Sequence, residues 1–368
     1  LQQLNTIDRN RLRQQAAFWQ VEDARRNVAL NVSNLYLQSL MNKELMNQAE
    51  LRKNLTEEQL KITNELIESG LLAAGEILDL ESQLASEKAN LTNAQNAYQM
   101  ALMQLQLLLQ IPVTSNFDVA PVEIDEAQLV LTQTDPYSIV QTAKQVEPRI
   151  QAAKYSLMSA EKDMRIARGS FSPSVNLSGN LRSNYINLAQ EVVGIENIRF
   201  NEIGTVDGTG ESVISSVPSG DLIREDIPFG RQLDDNFNQS VSLNLSLPIS
   251  AGFQRRAAVE RAKLGIESQE LSLQQEENDL TQRVIEAYQS ALAAERSYQA
   301  SATTVESLRR SLEYAEERYN FGALRSIDFS QIKNQFFTAE SNLISTKYDF
   351  LFKIKILEFY QGKTIDLN

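Results

Sequence analysis

The chain has neither cysteine nor histidine among its 368 residues. The first absence excludes disulfides, thiolate nucleophiles and thiolate metal sites. The second removes the commonest general base and the commonest metal ligand near neutral pH. Proline is missing from residues 1–111 and 249–368, Pro112 being the first and Pro248 the last. Proline breaks helix interiors because it lacks an N–H and clashes with the preceding turn. Two proline-free arms around a proline-bearing centre therefore predict two long helical arms and a middle of another kind. No segment reaches the roughly 18 consecutive apolar residues of a membrane-spanning helix, and no secretory signal is visible at Leu1. Neither G-x-x-x-x-G-K-S/T nor G-x-G-x-x-G occurs, so nucleotide binding has no local support. A net charge of −13 disfavours nucleic acid, which needs a basic footprint. No cofactor, metal site or catalytic constellation is expected, so the chain does not read as an enzyme.

What the chain does contain is a repeat. With Gly70 set against Gly322, an offset of 252 residues (322 less 70), the two arms align without a gap. Val32 meets Val284, Tyr36 meets Tyr288, Leu60 meets Leu312, Glu76 meets Asp328, Tyr98 meets Phe350 and Leu105 meets Leu357. By the same offset Leu1 meets Phe253, just past Gly252, so the first copy is expected to start partway through a unit.

Each copy reads as a helical hairpin. In the second arm, Val284, Ala287, Ala291, Ala294, Tyr298, Ser301, Val305, Leu308, Leu312, Ala315 and Tyr319 recur at alternating spacings of three and four, a heptad seam. A second stripe follows Gly322 through Phe329, Ile332, Phe336, Ala339, Leu343, Thr346, Phe350 and Leu357. The first arm repeats this from Ile77 to Leu108, although Asn42 and Lys53 interrupt the seam of its earlier helix. Gly70 and Gly322 stand at the turns, where a left-handed backbone carries no Cβ clash. From Phe253 to Phe321 the helical pattern spans roughly 100 Å at about 1.5 Å per residue. Such a helix spans or lines something; a coiled-coil rod has the same arms.

The middle has another texture. Val175, Leu177, Gly179 and Leu181 alternate with Asn176, Ser178, Asn180 and Arg182, and Val241, Leu243, Leu245, Leu247 and Ile249 alternate with Ser242, Asn244, Ser246 and Pro248. Two strands cannot close a sheet alone, so partner strands are required. The predicted organisation is a helical hairpin over 1–111, an equatorial connector over 112–147 and a helix over 148–170. A membrane β-hairpin follows over 171–250, with a long loop at 183–238, then a second helical hairpin over 251–361 and a tail at 362–368. Asp135 and Pro136 read as an N-cap followed by proline at the first helical position.

At this point the chain resembles the TolC-like outer-membrane efflux proteins. The resemblance rests on YNFGALRSID (319–328), LSLPISAGFQRRAAVERAK from Leu245, VEPRIQAAKYSLMSAEKDMRIARGSFSPSVNLSGN from Val146, the ending FKIKILEFYQGK, and the repeat itself. It implies a mainly α fold with a small β part: long antiparallel coiled-coil hairpins in tandem repeat, plus a transmembrane β-hairpin contributing to a trimeric barrel. It implies a homotrimer in outer-membrane lipid, a passive duct through the periplasm, a periplasmic adaptor and an inner-membrane transporter as partners, and an export signal and further hairpin upstream. The alternative is a structural coiled-coil rod or adhesin of the cell envelope. By the same resemblance a gate lies at the helical tips, with Glu76, Asp79, Tyr319, Arg325 and Asp328 around it and a Tyr319–Glu76 bond holding it closed. Gln331 stands where the family has a second acid, and Leu324 where it has the gate arginine. Gly70, Leu71, Leu72, Gly322, Ala323 and Leu324 are expected to dock the adaptor. Val175, Leu177, Leu181, Val241, Leu243, Leu245 and Leu247 are expected to face lipid.

Overall fold

A computed structural model describes residues 2–70, 73–113, 116–120, 135–247, 253–321 and 323–363. Leu71, Leu72, Gly322, Pro248, Ile249, Gly252 and residues 121–134 of the connector lie outside the described residues. In chain order the elements are α1 (Gln2–Glu68), α2 (Glu76–Leu108), α3 (Pro136–Val146), α4 (Pro148–Gly169), β1 (Ser174–Arg182), β2 (Gln190–Arg199), β3 (Glu202–Thr205), β4 (Ser212–Ile214), β5 (Ser219–Asp226), α5 (Phe229–Asp235), β6 (Asn238–Ser246), α6 (Gln254–Asn320) and α7 (Ser326–Tyr360). They form two compact units, Leu1–Ala167 with Arg256–Asn368, and Arg168–Arg255.

The first unit is helical. The helices α1 and α6 are each 67 residues long and stand at equivalent places in the repeat. Helix ends recur in both copies. α2 closes with Gln110 in the left-handed region (φ 58°), and Ile111 N–H donates to Gln106 O at 2.9 Å. α7 closes the same way on Gly362 (φ 79°), with Lys363 N–H donating to Glu358 O at 3.1 Å. Both satisfy orphan carbonyls of the last turn. α3 starts as its sequence dictates: the Asp135 side chain accepts from Tyr137 N–H at 3.1 Å, and Pro136 fills the first turn.

No residue of the Val284–Tyr319 seam is exposed, and Val284, Ala291, Ala294, Val305 and Ala315 are buried. α7 buries more than its predicted stripe, because Phe337, Ile344, Tyr348, Leu351 and Ile354 are also covered. The reason is a second neighbour. Phe336, Phe337 and Ala339 pack on Val305 of α6, while Ile344, Tyr348 and Leu351 pack on Leu37 and Leu40 of α1 and Leu102 of α2. Ion pairs from Arg9 and Arg13 to Asp163, each 3.0 Å, and from Lys162 to Asp8 at 2.8 Å, lay α4 along α1. The described end of the connector is stapled to α1 and α2. Val119 is buried, Lys43 reaches Asp118 at 3.0 Å, and the Tyr98 hydroxyl donates to Asp118.

The second unit is built of nested antiparallel hairpins, with β1 on β6, β2 on β5 and β3 on β4. Residues 183–238, expected as a long loop, carry four strands and α5. Their alternation is broken by bulges that interrupt the register, between Val192 and Gly194, between Glu196 and Arg199, and between Glu202 and Gly204. Each bulge shifts the period-2 pattern to the other face. The glycine-rich stretch is the connection, with Gly208 and Gly210 at φ 101° and 67°.

Candidate functional site: helical tips and membrane strands

The tip of the helical unit is built from two turns. α1 ends in Ser69 and Gly70, with Gly70 at φ 78° donating its N–H to Ile67 O at 2.9 Å. α2 opens with Glu76 and Asp79 in its first turn, where the helix dipole favours acids. At the second turn Ala323 N–H donates to Arg318 O at 2.8 Å, and Arg318 Nη2 donates back to Ala323 O at 3.2 Å. Arg325 grips Asp328 of α7 with two hydrogen bonds, 2.9 and 3.1 Å, and this bond holds the arginine's pKa above its ordinary value.

Tyr319 lies flat on Phe329, ring centroids 4.8 Å apart and planes 13° apart. Its hydroxyl is buried without a hydrogen-bond partner among the described residues. The Tyr319–Glu76 bond implied by resemblance is therefore not made within this chain. An open cavity of about 840 Å³ runs between α2 and α7, lined by Asp79, Ser82, Gln83, Ser330, Gln331 and Asn334 among others. Most of its lining residues carry an uncharged hydroxyl or carboxamide, with Leu308, Ile327 and Ala339 between them.

The strands β1 and β6 carry the other half of the site. Val175 faces Leu245, Leu177 faces Leu243 and Gly179 faces Val241, while Leu181 near the end of the ladder faces Gln239. One step along, Asn176 faces Asn244, Ser178 faces Ser242 with hydroxyls 2.7 Å apart, and Asn180 faces Ser240. One face is apolar apart from Gln239, and the other is polar, its one charge being Arg182 at the strand end. Val175, Leu177, Leu181, Val241, Leu243, Leu245 and Leu247 are all 59–81% exposed, so nothing among the described residues of the unit covers the apolar face. Nine residues per strand approach the ~9–11 of a tilted membrane strand.

Residues 139–353, more than half of the chain, match the Outer membrane efflux protein family. The chain belongs to that family. No curated protein matches it by sequence. Among solved structures it is similar to CusC, at 14% identity and a TM-score of 0.73, over 98% of this chain and 74% of that one. It is similar also to VceC from Vibrio cholerae, at 13% identity and a TM-score of 0.69, over 99% and 77% of the two chains. The open state of the MtrE outer membrane channel of Neisseria gonorrhoeae matches at 16% identity and a TM-score of 0.68, over 98% and 73%. At these identities the likeness establishes the shared fold: mainly α, with a small antiparallel β part.

Within this efflux-family fold the structure brings Arg325 to Asp328 and Tyr319 to Phe329, and leaves Glu76 and Asp79 together on the first turn of α2. Ala323 is exposed and Leu324 half-buried. Sequence reasoning missed three large apolar side chains at the same end: Phe321, Leu78 and Ile327, which are 88%, 65% and 55% exposed. Their signal was their position off the heptad seam, within four residues of a turn or helix start. Among the described residues no helix is long and apolar enough to cross a membrane.

Proposed function

We propose that the chain is a subunit of a homotrimeric export duct, seated in the outer membrane by its β-hairpin and reaching into the periplasm with its helices. The observation that carries this reading is the β1–β6 pair. An exposed apolar face backed by a Ser/Asn face suits lipid on one side and water on the other. Each strand also has a free edge among the described residues. Open edges are not tolerated in lipid, so strands from outside this hairpin must complete a closed barrel, and a symmetric assembly of copies supplies them.

The same reading makes the helical tips the gate. Asp79 and Asp328, with Glu76, would gather around a threefold axis, where like charges in a narrow mouth attract cations. Tyr319 on Phe329 ties the end of α6 to the start of α7, and Arg325 holds Asp328 in place. Gly70, Leu71, Leu72, Gly322, Ala323 and Leu324, together with exposed Phe321, Leu78 and Ile327, suit a docking surface for the hairpin tips of a periplasmic adaptor that couples the duct to an inner-membrane pump. The test is extraction of the full-length protein from outer membranes in detergent, followed by native mass measurement and planar-bilayer recording in potassium chloride. A trimer with cation-selective conductance is expected; a monodisperse species without conductance would favour the rod or adhesin.

A further inference from the structure

Near the tip of the helical unit, α1, α6 and α7 leave a cavity of about 380 Å³ between them. Part of its lining is apolar. Leu55 and Ile62 of α1 are 38% and 51% exposed, and Leu312 of α6 and Phe337 of α7 stand with them. The polar groups beside them are mostly donors. Lys333 of α7 carries three N–H groups. One donates to Gln59 Oε1 of α1 at 3.0 Å, and Thr56 Oγ1 lies 3.5 Å away. No carboxylate forms an ion pair with this lysine among the described residues. Burial lowers its pKa below the ordinary value, against the more distant pull of Glu87 and Glu316.

Two more donors stand idle at the same place. Gln59 gives its carboxamide oxygen to Lys333, and its Nε2 is buried with no partner among the described residues. The Tyr319 hydroxyl is buried in the same condition. Both residues line the cavity. Glu58 and Glu316 line it too, but both are exposed, where water and salt screen their charge.

This imbalance selects a ligand. A buried donor without an acceptor is costly, and a half-buried ammonium without a counter-charge calls for an anion. A carboxylate is acceptor-only and has lone pairs for all three donors. The apolar lining calls for an apolar body, and the volume falls within the ~300–1,000 Å³ of small-molecule pockets. We propose that this cavity is a binding site for a small amphipathic carboxylate, its head on Lys333, Gln59 and Tyr319 and its body along Ile62 and Leu312. The ligand is held in the wall and not conducted, so the site stands apart from the question of what the duct carries. Because the molecule touches α1, α6 and α7 together, its binding also stabilises their packing against heat.

The probe is p-bromophenylbutyrate, with its primary amide and the matching amine as controls. Binding to the full-length protein is measured by titration calorimetry, and the bromine is located by anomalous scattering in soaked crystals. The acid should bind saturably with its bromine between Ile62 and Leu312. It should bind about tenfold or more tighter than the amide, the worth of one hydrogen bond to a charged group, and tighter still than the amine. Lys333→Met keeps an unbranched side chain and removes the charge; it should weaken the acid about tenfold and leave the amide unchanged. Gln59→Leu, on another helix, should weaken the acid several-fold, and it decides the matter if the methionine variant does not fold. Bromine elsewhere, equal affinity for acid and amine, or affinity untouched by these substitutions overturns the site. So does the lack of saturable binding, which would leave the cavity to water.

Discussion

The ring of Tyr319 stacks on that of Phe329 at 4.8 Å, yet its hydroxyl is buried with no partner among the described residues. Tyr319→Phe keeps the stack and removes an unsatisfied buried group whose desolvation costs about 1–3 kcal/mol. The phenylalanine variant should be as stable as the parent or more so, and its resting conductance unchanged. Tyr319→Ala loses the stack and should raise the leak. A leak in the phenylalanine variant equal to that of the alanine variant would mean that the hydroxyl bonds an acid in the assembled trimer.

Arg325 and Asp328 are 77% and 39% exposed, three residues apart on α7 and its cap. An exposed pair of this kind is screened by solvent and contributes little to stability, so Arg325→Gln should barely move the melting temperature. It should change the mouth instead, because Asp328 loses its counter-charge. Cation selectivity measured by reversal potential should rise, most clearly at low salt, where screening is weak.

Leu243 and Asn244 are neighbours on β6 with opposite environments. Leu243→Arg would place a charge on the apolar face, at about 2–4 kcal/mol near a bilayer midplane. Asn244→Arg would place it on the Ser/Asn face, where water is expected. The first should deplete the protein from outer-membrane fractions, and the second should leave insertion intact while altering conductance. Equal tolerance of both would remove the membrane assignment of β1 and β6.

Glu147 is 6% exposed, with Arg26 at 3.5 Å, and burial holds its carboxyl above its ordinary 4.5. Between 4.5 and that raised value the folded chain binds more protons than the unfolded one. Stability contributed here is therefore intact below 4.5 and declines as pH rises through the folded value. Glu147→Gln should flatten that slope in thermal unfolding followed from pH 4 to 8. Arg26 keeps the carbonyls of Phe359 and Val146, at 2.7 and 3.3 Å, and the Phe359 ring, so the variant should still fold.

The arms were legible because a heptad seam and a helix hairpin are local patterns: Val284 to Tyr319 states its own buried face, and Asp135–Pro136 states a helix start. The period-2 alternation around Leu177 and Leu243 was legible for the same reason. The strands from Gln190 to Asp226 were not, because bulges break the alternation by which strands are recognised. The tip was half legible. Acids at Glu76, Asp79 and Asp328 fit helix first turns on sequence grounds, but that Arg325 pairs with Asp328 and that Phe321 is uncovered depend on how the turns close.

The sequence by itself determined the two long helical hairpins, their repeat and the amphipathic strands, since each follows from side-chain spacing along a regular backbone. The tertiary structure alone decided which helices meet. α7 carries one predicted stripe but buries two faces, because α1 and α6 both press on it, and residues such as Arg52, Glu87 and Asn334, far apart in the chain, become partners only there. Periodicity encodes which way a side chain points; it does not encode what arrives to face it.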